Sequence, residues 1–168
     1  MKRLFEIDPR DYDPAGETVR RPSARGIIFR DGKILVIFST ANHYCKLPGG
    51  GIEPGEDAKA AMIREVREET GYTVIPDTVR EFGSVRRIQK GKHEPVFIQD
   101  NDYFLCEVEE QQGRPELSPQ EAEEGFTPVF LALTEAIRVN EEYAASHPCA
   151  MMERELGVLR ILAGLNPA

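Results

Sequence analysis

Leu47 to Tyr72 reads LPGGGIEPGEDAKAAMIREVREETGY, a turn-forming half followed by a helix-forming half. Leu47–Glu56 is so dense in Gly and Pro that neither helix nor regular strand is expected there. From Asp57 the character changes. Asp57 can cap a helix, good helix formers run to Thr70, and Gly71 is placed to end the helix in a left-handed conformation. At about 100° per residue from Ala58, the apolar Met62, Ile63 and Val66 define a buried face within roughly 140°. Glu69 falls inside that stripe at about 20°, and Glu65 and Glu68 border it at about 340° and 280°. Three carboxylates crowded on one edge repel and raise one another's pKa unless a cation compensates. Oxygen donors with no His or Cys among them suit a hard divalent ion, Mg²⁺ or Mn²⁺ rather than Zn²⁺. An arbitrary Glu-rich helix is more often a solvated face paired with its own arginines, here Arg64 and Arg67. The preceding glycines favour the cation, because Gly49, Gly50 and Gly51 allow close backbone approach and can offer a carbonyl to the same ion. Glu56 and Arg64 flank the helix and can brace loop and carboxylates.

Upstream, Ala24–Ser39 (ARGIIFRDGKILVIFS) holds two β-rich runs around Asp31-Gly32, a hairpin turn signal. Downstream, strands are expected at 73–75, 81–88, 96–98, 103–108 and 127–131, then one or two helices between Thr134 and Leu165, the last at Ala150–Ala163. Residues 109–125 (EEQQGRPELSPQEAEEG) read as a polar, acidic loop. Residues 1–22, rich in Pro, Asp and Arg, read as an irregular or extended N-terminal extension, with 23–168 as a single domain. The class is therefore α/β in the α+β sense, and 168 residues suffice for a core without disulfides or structural metal.

Gly50–Tyr72 matches the Nudix box G-x5-E-x7-R-E-U-x-E-E-x-G-U at Gly50, Glu56, Arg64, Glu65, Val66, Glu68, Glu69 and Gly71. The departure is Tyr72 at the final, usually aliphatic position, where an aromatic ring can still enter the core. With Leu47-Pro48-Gly49 and the hairpin ahead of it, the chain resembles Nudix hydrolases over about residues 24–135. That resemblance implies a mixed β-sheet sandwiched between helices. It implies Glu65, Glu68 and Glu69 as metal ligands together with the Gly49 carbonyl, Arg64 as the residue orienting them, and Glu56 as a brace for the loop. It also implies attack by water on phosphorus in a nucleoside-diphosphate-linked substrate. A further carboxylate commonly comes from a loop before a late strand; among Glu121, Glu123 and Glu124, Glu121 is the expected one, to bind a second metal or take the water's proton.

Substrate lies outside the box. Branches hydrolysing ADP-ribose often carry Pro about 16 residues beyond it, where Ile88 stands here, and branches for dinucleoside polyphosphates tend to carry Tyr near Ile88–Lys90. By elimination a nucleoside triphosphate, including an oxidised purine nucleotide, is favoured. An ADP-ribose or nucleotide-sugar diphosphate is the alternative, and a nucleotide-sensing domain without hydrolysis a third reading. Arg25 and Arg87 are candidate substrate contacts, Arg87 within the basic run Arg86, Arg87, Lys90 and Lys92. The net charge of −8 argues against a broad basic surface for nucleic acid and is compatible with a small phosphate-bearing ligand. No apolar run reaches the roughly 20 residues of a membrane span, and the N-terminus lacks the apolar core of a secretory signal, so a cytoplasmic location is expected. Cys45, Cys106 and Cys149 are read as reduced thiols, and His43, His93 and His147 show no ligand spacing. The N-terminal arm and Leu156, Leu159, Ile161 and Leu162 are available to a homodimer, though a monomer core accounts for the leucines equally.

Overall fold

The computed structural model describes residues 1–167. Among these, strands form at Arg3–Ile7 (β1), Thr18–Arg20 (β2), Ser23–Ile27 (β3), Phe29–Arg30 (β4), Lys33–Ser39 (β5), Tyr44–Lys46 (β6), Gly49–Gly51 (β7), Tyr72–Val74 (β8), Arg80–Gln89 (β9), Val96–Leu105 (β10), Val108–Gln112 (β11) and Phe126–Ala132 (β12). Helices are Ala58–Thr70 (α1), Pro119–Glu123 (α2), Leu133–Ser146 (α3) and Ala150–Leu162 (α4). The main sheet runs β1-β9-β10-β3-β7, with β2 also on β10. It is mixed: β1 lies parallel to β9, β3 and β2 parallel to β10, and the β9/β10 and β3/β7 pairs antiparallel. A second sheet runs β12-β5-β4 with β6 on β5, and β8 pairs with β11. One core layer unites Met62 and Val66 of α1 with Ala24, Ile28 and Leu35; the other unites Met152, Leu156 and Leu159 of α4 and Ile137 of α3 with Ile27, Ile34 and Val36. Helices thus cover both faces of the sheets. This explains why every residue of β3 is buried, polar ones included.

The Asp31-Gly32 turn forms as its composition requires, both residues at positive φ (50° and 72°) between β4 and β5. The run ahead of it is divided, however, with β3 in the main sheet and β4 in the second. Four other readings are corrected. Gly49–Gly51 is a strand, since glycine adopts extended backbone when a neighbour supplies the ladder, here β3. The two strands expected at 96–98 and 103–108 are one, β10: its polar middle is paired, Arg86 clamping Asp100 at 2.8 and 3.0 Å and Ser23 bonding the buried Asn101 at 2.7 Å. Residues 109–125 are not all loop, because Val108–Gln112 pairs with β8, and Ser118 caps α2 with the reciprocal bond from Glu121. Regular structure also begins before Ser23. The expected extension contributes β1, which seats Leu4 against Gly83 and the Phe5 ring against Gly157, two positions whose missing side chains leave the room.

Leu156 and Leu159 are consumed by the core, and Ile161 and Leu162 are half-buried. Tyr72 is buried with its ring edge-on to Phe130, 5.9 Å between centroids. Cys45 and Cys106 are buried and Cys149 exposed, all three free. No helix among the described residues is long and apolar enough to cross a membrane.

Candidate active site

Helix α1 starts where Asp57 accepts the Ala60 N–H at 2.8 Å and ends at Gly71, φ 74°, where a side chain would collide with the Gly113 carbonyl. Gly26 lets the helix lie close to β3; a Cβ there would sit 2.9 Å from Val66 Cγ2. This close approach carries the acidic edge of α1 under the glycine strand.

The most buried of the three box glutamates is Glu69, 2% exposed. Its Oε2 accepts the Gly49 N–H at 2.7 Å and its Oε1 accepts from Lys46 Nζ at 2.8 Å. Burial pushes this carboxyl above the usual range, against the pull of Lys46 and the Gly49 amide. Glu65 lies over the loop, and a Cβ on Gly50 would fall 2.5 Å from its carboxyl carbon. Arg64 is the hub. Its Nε and Nη2 clamp Glu56 at 3.0 and 2.9 Å, Nη2 also reaches the Gly51 carbonyl at 3.1 Å, and Nη1 donates to Glu65 at 2.8 Å and Glu68 at 3.3 Å. The Glu56 hydrogen bonds hold the Arg64 guanidinium above its ordinary pKa and the Glu56 carboxyl below its own. The Glu68 side chain, 42% exposed, is the freest to turn.

Glu121 arrives from α2. Its Oε2 accepts from the Ser118 amide and hydroxyl, both at 2.8 Å. Partial burial raises its carboxyl, but the Ser118 hydrogen bonds and the Lys46 charge outweigh this and hold it low. The structure therefore gathers Glu121, Lys46 and Glu69 at one point. Glu124 instead accepts from Tyr44 at 2.6 Å, and Glu123 is exposed. Arg25, 7% exposed, lies behind the loop, its Nη1 bonding the Leu47 and Gly49 carbonyls at 3.1 and 2.9 Å. Arg87 lies half-buried over the Phe97 ring, 5.6 Å from its centroid. His43 meets Phe38 edge-on and His147 stacks on Tyr143.

Lys46 and Ser118 were not among the expected site residues. Ser118-Pro119-Gln120-Glu121 carried a readable signal, the Ser-x-x-Glu capping box. Lys46 carried none, since its partners, Glu69 and the Phe126 ring at 4.3 Å, are distant in sequence.

The oxygen donors suit a hard divalent cation, and Glu65 seated on Gly50 leaves a carboxylate edge on the loop. Among the described residues, no group of three or more His, Cys, Asp or Glu is gathered in a form that could hold a metal ion. Arg64 and Lys46 neutralise these carboxylates instead, and the Gly49 carbonyl accepts from Arg25.

Gly49 cannot carry a side chain. At φ 141° its Cβ would collide with the Ala24 carbonyl and lie 2.6 Å from Arg25 Cα, both main-chain atoms. Gly49→Ala is expected to destabilise the chain by at least the ~1–3 kcal/mol of overpacking, read from its urea midpoint, and an unchanged midpoint would contradict this packing.

The family of the NUDIX domain matches residues 19–151 of the chain. The chain belongs to the Nudix family. Two solved Nudix structures share the fold: a NUDIX hydrolase from Nitrosomonas europaea (TM-score 0.59, 20% identity, 88% of this chain and 92% of that one) and the MutT NUDIX hydrolase from Burkholderia pseudomallei (0.53, 23%, 69% and 85%). The "ADP-ribose pyrophosphatase" of Methanocaldococcus jannaschii is 49% identical over 49 residues, 27% of this chain and 29% of that protein. The "Nucleoside triphosphatase NudI" of Salmonella schwarzengrund is 40% identical over 57 residues, 31% and 40%. The Nudix chain thus spans less than half the length of these curated relatives.

Proposed function

We propose that this Nudix chain hydrolyses a diphosphate linkage in a small nucleoside-diphosphate-type molecule, by attack of water at phosphorus, with Mg²⁺ or Mn²⁺ as cofactor. The observation that supports it is the joining of Glu65, Glu68 and Glu69 to the Gly49–Gly51 strand through Arg64 and the Gly49 amide. Glu65, Glu68 and Glu69, with the Gly49 carbonyl, would hold the cation. When bound, the cation would neutralise phosphate charge and make the water more acidic. Arg64 holds the carboxylates in line against their mutual repulsion, and Glu121, kept deprotonated beside Lys46, is positioned to accept the water's proton. Nothing here needs a covalent nucleophile.

The favoured substrate is a nucleoside triphosphate, an oxidised purine nucleotide included; the NudI segment supports this. The segment shared with the ADP-ribose pyrophosphatase favours a second reading, an ADP-ribose or nucleotide-sugar diphosphate. A sensing domain without hydrolysis is disfavoured because every box carboxylate is retained. A screen of nucleoside triphosphates, nucleotide sugars, dinucleoside polyphosphates and coenzyme A with Mg²⁺ and Mn²⁺ decides. Release of a nucleoside monophosphate plus pyrophosphate supports the first reading, two monophosphates the second, and no metal-dependent release from any of them would overturn both. Glu121→Gln is expected to reduce turnover by about 10²-fold, the scale of a general base, while Glu123→Gln keeps the parent rate. Equal rates for the two variants would remove Glu121 from the mechanism.

A further inference from the structure

Behind the glycine strand, on the face of the main sheet covered by α4, the chain buries an excess of positive charge. Arg25 of β3 is 7% exposed, Arg154 of α4 is 2% exposed, and Arg87 of β9 is half-buried beside them. One carboxylate answers these three guanidiniums directly: Glu155 accepts from Arg154 Nη2 at 2.5 Å, while Arg25 and Arg87 make no ion pair among the described residues. Among the described residues, the Nε atoms of Arg25, Arg87 and Arg154 and the hydroxyl of the wholly buried Tyr103 have no hydrogen-bond partner. Buried donors are almost always satisfied, and buried like charges almost always compensated, so four orphaned donors and three guanidiniums sharing one buried carboxylate describe a site short of an anion. Arg25 and Arg87 both register the shortage, their guanidiniums held below the ordinary range by burial first. Burial first, then repulsion by Arg154 and Arg25, pushes Arg87 down to about 10, and burial pushes the Tyr103 hydroxyl up to about 12.

The cluster reaches towards solvent at the half-buried Arg87. Arg154 Nη1 lies 3.4 Å from Gln99 Oε1, and Gln99 lines an open cleft of about 260 Å³ with Arg20, Arg21, Phe97 and Gly51. That cleft borders the glycine strand, and Arg25 itself holds the Gly49 carbonyl whose amide bonds Glu69. Arg25 thereby ties the arginine cluster to the segment whose amide holds Glu69.

We infer that Arg25, Arg87 and Arg154, with the Tyr103 hydroxyl, form an oxyanion subsite that takes a phosphate group of the substrate. The inference rests on the hydrolase reading for the word substrate; the subsite itself is tested without metal. Inorganic phosphate titrated by calorimetry into the full chain in EDTA is expected to bind the parent, to bind Arg87→Gln at least tenfold more weakly, and to bind Arg87→Lys within a few-fold of the parent. Absence of binding to the parent overturns the subsite. So does equal affinity for Arg87→Gln, or a loss confined to an Arg20→Gln/Arg21→Gln variant. With the substrate found by the screen, phosphate is expected to compete, and Arg87→Gln to relieve that competition while raising KM more than it lowers kcat. Phosphate that binds at Arg87 without competing overturns the assignment to the substrate. Failure of metal-dependent hydrolysis would sink the reaction proposed above and leave the EDTA titration standing.

Discussion

Glu68→Gln is expected to lower turnover at saturating Mg²⁺ by about 10²-fold or more while leaving the unfolding midpoint within the ~0.5 kcal/mol typical of surface substitutions. The reason is the separation of roles along the acidic edge of α1. Glu69 is buried and holds the fold of the loop through the Gly49 amide, so its replacement mixes catalytic with structural loss. Glu68 makes one long contact to Arg64 at 3.3 Å and is otherwise open to solvent. It therefore has little to contribute to stability and most of its freedom to contribute to a cation. Titration of Mn²⁺ alone should show the same variant binding more weakly. Near-parental turnover for Glu68→Gln would mean that the carboxylate assignment is wrong, whatever the screen returns.

Glu155→Gln is expected to cost about 3–5 kcal/mol in urea unfolding, the scale for breaking a buried ion pair from one side. The carboxylate is wholly buried, accepts the Leu47 N–H at 3.0 Å, and is the one directly paired anion among Arg25, Arg87 and Arg154. Burial alone would raise its pKa, but Arg154 and Arg25 hold it below the usual carboxylate range. Neutralising it leaves Arg154 desolvated and unanswered and loosens the residue that opens the glycine segment. The double variant Arg154→Met/Glu155→Met is expected to recover part of the loss, because no bare charge remains. A cost below about 1 kcal/mol for the single variant would show that water or another group compensates Arg154.

These two positions mark the boundary between what local sequence carries and what it does not. Glu68 was legible as an edge position: the helix period places Glu65, Glu68 and Glu69 on one edge, and the resemblance to the Nudix box implies a role for them. Asp57, Gly71 and Asp31-Gly32 were equally legible, since caps and tight turns are set by φ preferences and by bonds two to four residues long. The Ser118 capping box belonged to the same class and was hidden only by the polar composition of the stretch around it.

Glu155 carries no such mark. In Met151-Met152-Glu153-Arg154-Glu155-Leu156 it reads as one more charge on a helix surface, and only the packing of α4 on the sheet turns Arg154 and Glu155 inward. The same holds for Lys46, whose ion-pair partner Glu69 is 23 residues away and on another element, and for β10, whose polar Gln99–Asp102 reads as a break until Ser23, Arg86 and Arg154 are brought to it. The N-terminal strand likewise depends on gaps at Gly83 and Gly157 that lie far along the chain. By itself, then, the sequence determined the hairpin, the box helix with its caps, the acidic edge and the family. The tertiary structure decided which charges are buried and which strand each polar segment joins. The cause is physical: short-range preferences act between neighbours in sequence, whereas desolvation and charge pairing depend on which distant elements close over a residue.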